Sequence, residues 1–103
     1  MTLNDIKALV AGIDQAARHY FSEAQGDAYT YWEETQRLPL TADDAHAEGW
    51  RFYIHRYTKD ESDQTALDIF STLDADPRVT VIHTVDYETD SGYLHHIFQC
   101  EGY

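Results

Sequence analysis

A chain of 103 residues with 19 acidic against 7 Lys and Arg side chains carries a net charge of −12, a surface that repels nucleic-acid phosphates and anionic membranes. Its 43% hydrophobic and 14% aromatic content is enough for a packed core and argues against disorder. Its apolar runs fall far short of the ~20 residues that cross a bilayer.

This length corresponds to one domain over residues 1–103. A domain of this size is marginal alone and gains from oligomerisation. No basic-then-apolar leader opens the sequence, so no secretory signal is expected. Cys100 is the single cysteine. An intramolecular disulfide is therefore impossible, and a reducing compartment fits. With no activating neighbour in the sequence, Cys100 reads as a small buried hydrophobe.

Residues 2–24 read as one amphipathic helix. Ile6, Leu9, Val10, Ile13, Ala17, Tyr20 and Phe21 recur at three- and four-residue steps. Thr2 and Asp5 have the spacing of a capping box. Gly12 lies inside this helix, where it costs up to ~1 kcal/mol against Ala, and a close backbone approach would explain it. Gly26 marks the stop.

Ala28–Glu34 is short and aromatic, which predicts a strand. Residues 35–49 lose all periodicity and read as a long exposed loop, the kind that often carries function in a small domain. Trp50–Tyr57 is a second strand, with Trp50, Phe52 and Ile54 on one face and Arg51, Tyr53 and His55 on the other.

Thr58 and Glu61 suggest a capping box for a second helix. Its inward stripe is Ala66, Ile69, Phe70 and Leu73, and Asp76-Pro77 ends it. Arg78–Tyr103 alternates as a β-hairpin about an Asp90-Ser91-Gly92 turn. A two- or four-residue turn centred on Asp90-Ser91 pairs Val85 with His96 and His83 with Phe98, which puts the apolar sets of both arms on one face. The expected fold is α+β in the order α-β-β-α-β-β: an antiparallel sheet of about four strands with two helices packed on one face.

The six histidines raise a metal site. His95 and His96 are adjacent on a strand and point to opposite faces. His83 and His96 share a face, but no acidic residue stands at ligand spacing, so no metal is expected. Asp86 and Glu88 lie on one face of a strand and could act as acid and base only in a cleft that raised one pKa. The sequence offers no phosphate loop, nucleophile elbow or basic aromatic groove, so neither a cofactor nor catalysis is expected.

A surface role for these acids is the better fit. No Lys or Arg follows Arg78, so the hairpin has no base of its own for Asp86, Glu88, Asp90 and Glu101. Arg51, Arg56 or Lys59 of a neighbouring copy could meet that edge. Tyr29, Tyr31, Trp32, Trp50, Phe52 and Tyr53 have the composition of core and interface anchors.

Two stretches resemble a known family. One is Tyr29-Thr30-Tyr31-Trp32-Glu33-Glu34, followed by Thr41-Ala42-Asp43-Asp44. The other runs from Phe52-Tyr53-Ile54-His55-Arg56-Tyr57-Thr58-Lys59 through the second helix to Val85-Asp86-Tyr87-Glu88-Thr89-Asp90-Ser91-Gly92-Tyr93-Leu94-His95-His96. In this order they resemble the small tail-terminator or head–tail joining proteins of long-tailed, siphovirus-like bacteriophages. Asp44 stands where that family carries an amide.

The resemblance implies a non-enzymatic assembly protein without cofactor. Its subunits would form a hexameric ring that caps the tail tube and meets the head-completion or connector proteins in the neck of the virion. Asp43, Asp44, Arg51, Arg56, Lys59, Asp86, Glu88 and Asp90 are the candidate contact residues. No direct contact with nucleic acid or membrane is implied. The −12 charge supports an alternative, an acidic DNA mimic of the anti-CRISPR or anti-restriction type that occupies a basic groove of a nucleic-acid enzyme.

Overall fold

The structure is a computed structural model that describes residues 1–21, 23–39 and 48–103. The elements are α1 (Leu3–Ile13), β1 (Arg18–His19), β2 (Ala28–Arg37), β3 (Trp50–Thr58), α2 (Gln64–Ala75), β4 (Val79–Tyr87) and β5 (Leu94–Gly102). One sheet has the order β1-β2-β3-β5-β4. All its pairings are antiparallel except β1 with β2, which is parallel. The α+β class and the two helices on one face agree with the sequence, but the sheet has five strands and is mixed.

The first helix is half the expected length. It starts with the predicted capping box: Thr2 Oγ1 accepts from the Asp5 amide at 3.1 Å, and Asp5 Oδ2 accepts from the Thr2 amide at 2.8 Å. It stops at Ile13 because the Asp14 carboxylate accepts the Ala16 amide at 3.0 Å, a local turn that competes with helix. The chain then runs beside β2 as β1. Tyr20 takes φ +70° and donates its amide to the Trp32 carbonyl at 2.7 Å. Ala17, Tyr20 and Phe21 therefore belong to the sheet edge, not to a helical stripe. A Cβ on Gly12 would meet nothing within 4 Å, so no close approach explains that glycine.

The strand predicted over Ala28–Glu34 continues to Arg37 past a bulge between Glu34 and Gln36. Residues 35–37 of the expected loop are thus strand, and its 40–47 portion lies outside the described residues.

The second helix starts later than Thr58. Thr58 Oγ1 accepts from the Asp60 amide at 3.1 Å and Asp60 Oδ1 from the Ser62 amide at 2.8 Å. These two successive side-chain turns hold off the helix until Asp63, whose carboxylate accepts the Ala66 amide at 3.1 Å as the actual N-cap. The β4–β5 register is the one read from alternation, Val85 opposite His96 and His83 opposite Phe98. Gly92 closes its turn at φ +79°, where a side chain would be strained.

Strand alternation gives the sheet one covered face. Ile6 and Val10 of α1 and Ile69 and Leu73 of α2 pack on Trp32, Phe52, Ile54, Phe98, Cys100 and Val79. Phe70, expected in that stripe, is 37% exposed. Among the described residues, no helix is long and apolar enough to cross a membrane.

Candidate functional site

Side chains of opposite parity fill the face that carries no helix: Tyr29, Tyr31 and Glu33 of β2; Arg51, Tyr53, His55 and Tyr57 of β3; His95, Ile97 and Glu101 of β5; Ile82 and Asp86 of β4. The rings interlock across strands. Tyr57 stacks between Tyr29, at 4.8 Å between centroids, and His95, at 4.1 Å. Tyr31 stacks on His55 at 4.4 Å. Tyr93, from the hairpin turn, stands edge-on to Tyr29 and Tyr57 at 5.7 and 5.9 Å, and its hydroxyl donates to the Gly26 carbonyl. These contacts explain how aromatic side chains on an uncovered face are nonetheless half-buried or buried.

His55 Nδ1 lies 2.9 Å from His95 Nε2. The His55 Nε2 atom is buried without a hydrogen bond, 3.4 Å from Glu33 Oε1. Burial lowers the pKa of both imidazoles. For His55 the Glu33 carboxylate opposes this. His95 is pushed down to about 4, with the neighbouring His55 adding to burial and Asp86 opposing it. Burial also raises the phenols of Tyr29, Tyr31 and Tyr57, and Glu88 contributes to each. At neutral pH the face therefore presents neutral rings, hydroxyls and carboxylates. Its guanidinium, Arg51, is held by Glu101 at 2.8 Å and Gln36 at 2.7 Å.

A second histidine pair lies on the helix side. His83 Nε2 is 2.9 Å from His96 Nδ1, at the base of a recess of about 140 Å³ lined also by Asp63, Leu67 and Phe70. As expected from alternation, His95 and His96 face opposite ways, and His83 and His96 share a face. Among the described residues, no group of three or more His, Cys, Asp and Glu is placed to hold a metal ion. Cys100 is fully buried, and burial pushes its thiol up to about 12.

The structure separates the candidate contact residues. Asp86 is exposed on the uncovered face, opposite His95 in the register. Glu88 follows the end of β4, and Asp90 is exposed in the turn. Arg51 shares the face but binds Glu101 of its own chain, so that acid does have an internal partner. Arg56 is buried on the helix side. It donates to both Asp63 oxygens, at 2.8 and 3.1 Å, and to Thr30 at 3.1 Å, which removes it from any surface contact. Lys59 is exposed, 4.0 Å from Asp27 and 4.9 Å from the Tyr93 ring centroid. Asp43 and Asp44 lie outside the described residues.

Sequence reasoning missed the His55–His95 pair and the part played by Tyr57 and Tyr93. Alternation places Tyr53 and His55 together, but which strand lies beside them depends on a β3–β5 pairing between distant segments.

Comparison with solved structures finds several similar chains. The chain is similar to a chain of the "Virion of native gene transfer agent (GTA) particle". Identity is 16%, the match covers 97% of this chain and 86% of that one, and the TM-score is 0.46. No protein-family model and no curated protein matches.

Proposed function

We propose that this chain is a non-enzymatic virion assembly protein. It resembles a tail terminator whose subunits form a ring, a hexamer by that resemblance, at the end of a phage tail tube. There it joins the tube to head-completion or connector proteins in the neck.

One observation carries this reading beyond the motifs. The stretches that bear the resemblance are far apart in sequence, yet they meet in a single transverse row, Tyr29–Tyr57–His95–Asp86, on the uncovered face. Residues with this placement are not needed to seat either helix, which suits a contact surface. Aromatic side chains of this kind are enriched at interfaces. On this face the outer strand β4 adds exposed Ile82, and on the opposite face it exposes Val85 and Tyr87, groups that a neighbouring subunit would bury.

Native mass measurement with negative-stain imaging, in the presence and absence of purified tail tubes, tests the proposal. Rings, or tubes capped and arrested in length, are expected. A strict monomer that leaves tube growth unchanged overturns it. The net charge of −12 favours the DNA-mimic reading instead if that monomer binds a nuclease in a salt-sensitive manner.

A further inference from the structure

Strand β4 closes one end of the sheet, and its outer edge is open among the described residues. The Tyr103 amide donates to the Arg78 carbonyl and the Glu88 amide to the Tyr93 carbonyl, each at 2.9 Å. Even-numbered residues of β4 thus turn their backbone polar groups toward β5, and Val81, His83, Val85 and Tyr87 turn theirs outward. Over its nine residues this edge has no Lys, no Pro and no bulge, the devices that keep edge strands apart. Asp86 is its one charged side chain at neutral pH, and Ile82, Val85 and Tyr87 are each more than half exposed.

We propose that β4 pairs antiparallel with β4 of a second copy, centred on His83, and joins the two sheets into one. The strand is self-complementary about that point. On the helix side Val81 falls opposite the partner's Val85, and Val79 opposite the partner's Tyr87. On the other side Ile82 falls opposite the partner's Thr84, and Asp86 opposite the partner's Thr80. Apolar side chains therefore meet apolar ones on the helix side, and no like charges are opposed along the seam although the chain as a whole is acidic. The same register sets outward residue against outward residue, so the open amides and carbonyls satisfy one another. Phe70, which leans on the His83 ring at 5.7 Å between centroids, lies beside the two-fold axis, which gives its exposed side an occupant. A two-fold contact closes on two copies, whereas a ring uses two different surfaces of each. The inference therefore goes beyond the assembly reading and does not rest on it.

Sedimentation equilibrium of the full chain across a concentration series tests it, with urea unfolding to confirm that each variant is folded. The expected result is a monomer–dimer equilibrium that weakens about tenfold or more in Ile82→Lys/Val85→Lys. Both side chains are exposed, so the urea midpoint should stay near that of the unmodified chain. Phe21→Lys, exposed beside β1 at the far end of the sheet, changes the equilibrium less than about twofold. Thr80→Lys, which faces the partner's Asp86, tightens the pair about threefold beyond Phe21→Lys, and Thr80→Glu weakens it. A monomer at every concentration up to about 1 mM overturns the proposal and leaves the edge to a strand of another protein. Equal weakening by Phe21→Lys and by Ile82→Lys/Val85→Lys overturns it as general apolar association, and Thr80 variants that act alike overturn the pairing. Dimers of this kind from a protein that caps no tubes sink the assembly reading and leave this one standing. Capped tubes from a protein whose β4 edges never pair do the reverse.

Discussion

Arg56 reaches both oxygens of Asp63, Nε to Oδ2 at 2.8 Å and Nη2 to Oδ1 at 3.1 Å, with both side chains about nine-tenths buried. The same carboxylate caps α2. One side chain thus neutralises the buried cation of β3 and starts the helix that covers the core. Asp63→Ala is expected to cost about 3–5 kcal/mol in urea unfolding, since it strands a buried guanidinium and removes a cap. Adding Arg56→Met should recover part of that loss, because the unpaired charge goes with it.

Acid should destabilise the fold through its histidines. His55, His83, His95 and His96 all have folded pKa values below the ordinary 6.5, with burial the first cause in each. The unfolded chain therefore binds more protons than the folded one below about pH 6.5. The stability from neutral histidines is full above that pH and declines on acidification, for His95 until its folded value of about 4. The urea midpoint should fall between pH 7 and pH 5, and fall less in His95→Gln. A midpoint flat over that range would contradict the buried, neutral imidazole pairs.

Two glycines should respond to alanine in opposite directions. Gly12 is exposed in the last turn of α1 with open space around it, so Gly12→Ala should stabilise by up to about 1 kcal/mol. A Cβ on Gly102 would lie 2.5 Å from Met1 Sδ and 3.1 Å from Phe52 Cε1. The methionine can move, but the fully buried phenylalanine cannot easily do so. Gly102→Ala should therefore destabilise by about 1 kcal/mol or more, read as a shift in thermal midpoint.

Cys100 should be inert in the native state. A buried thiol with its pKa raised to about 12 has a thiolate fraction at pH 8 roughly a thousandfold below that of a free cysteine. Reaction with a disulfide reagent should follow unfolding, and modification should accelerate with urea. Fast labelling of native protein would show that β5 opens locally.

The hairpin was legible because alternation and turn chemistry fix one register, and a slip by one residue would expose Phe98 and Cys100. The first helix was overextended because Ala17, Tyr20 and Phe21 continue a 3.6-residue stripe. Asp14 ends that helix through a side-chain turn, which an apolar pattern does not register. The Thr58–Glu61 spacing imitates a cap that Asp63 provides in fact. The uncovered face was half legible. Its residues on β3 follow from parity, but the meeting of Tyr57 with His95 depends on long-range pairing.

The strand order also bears on how the chain reaches its fold. The hairpin β4–β5 closes over a short turn, but β3 pairs with β5, not with the nearer-in-sequence β4, across all of α2 and the first hairpin arm. Loop-closure entropy is therefore greatest at this central seam. The hairpin can form early, and its docking along β3 becomes the slow step of folding, as in other chains dominated by non-local strand pairing.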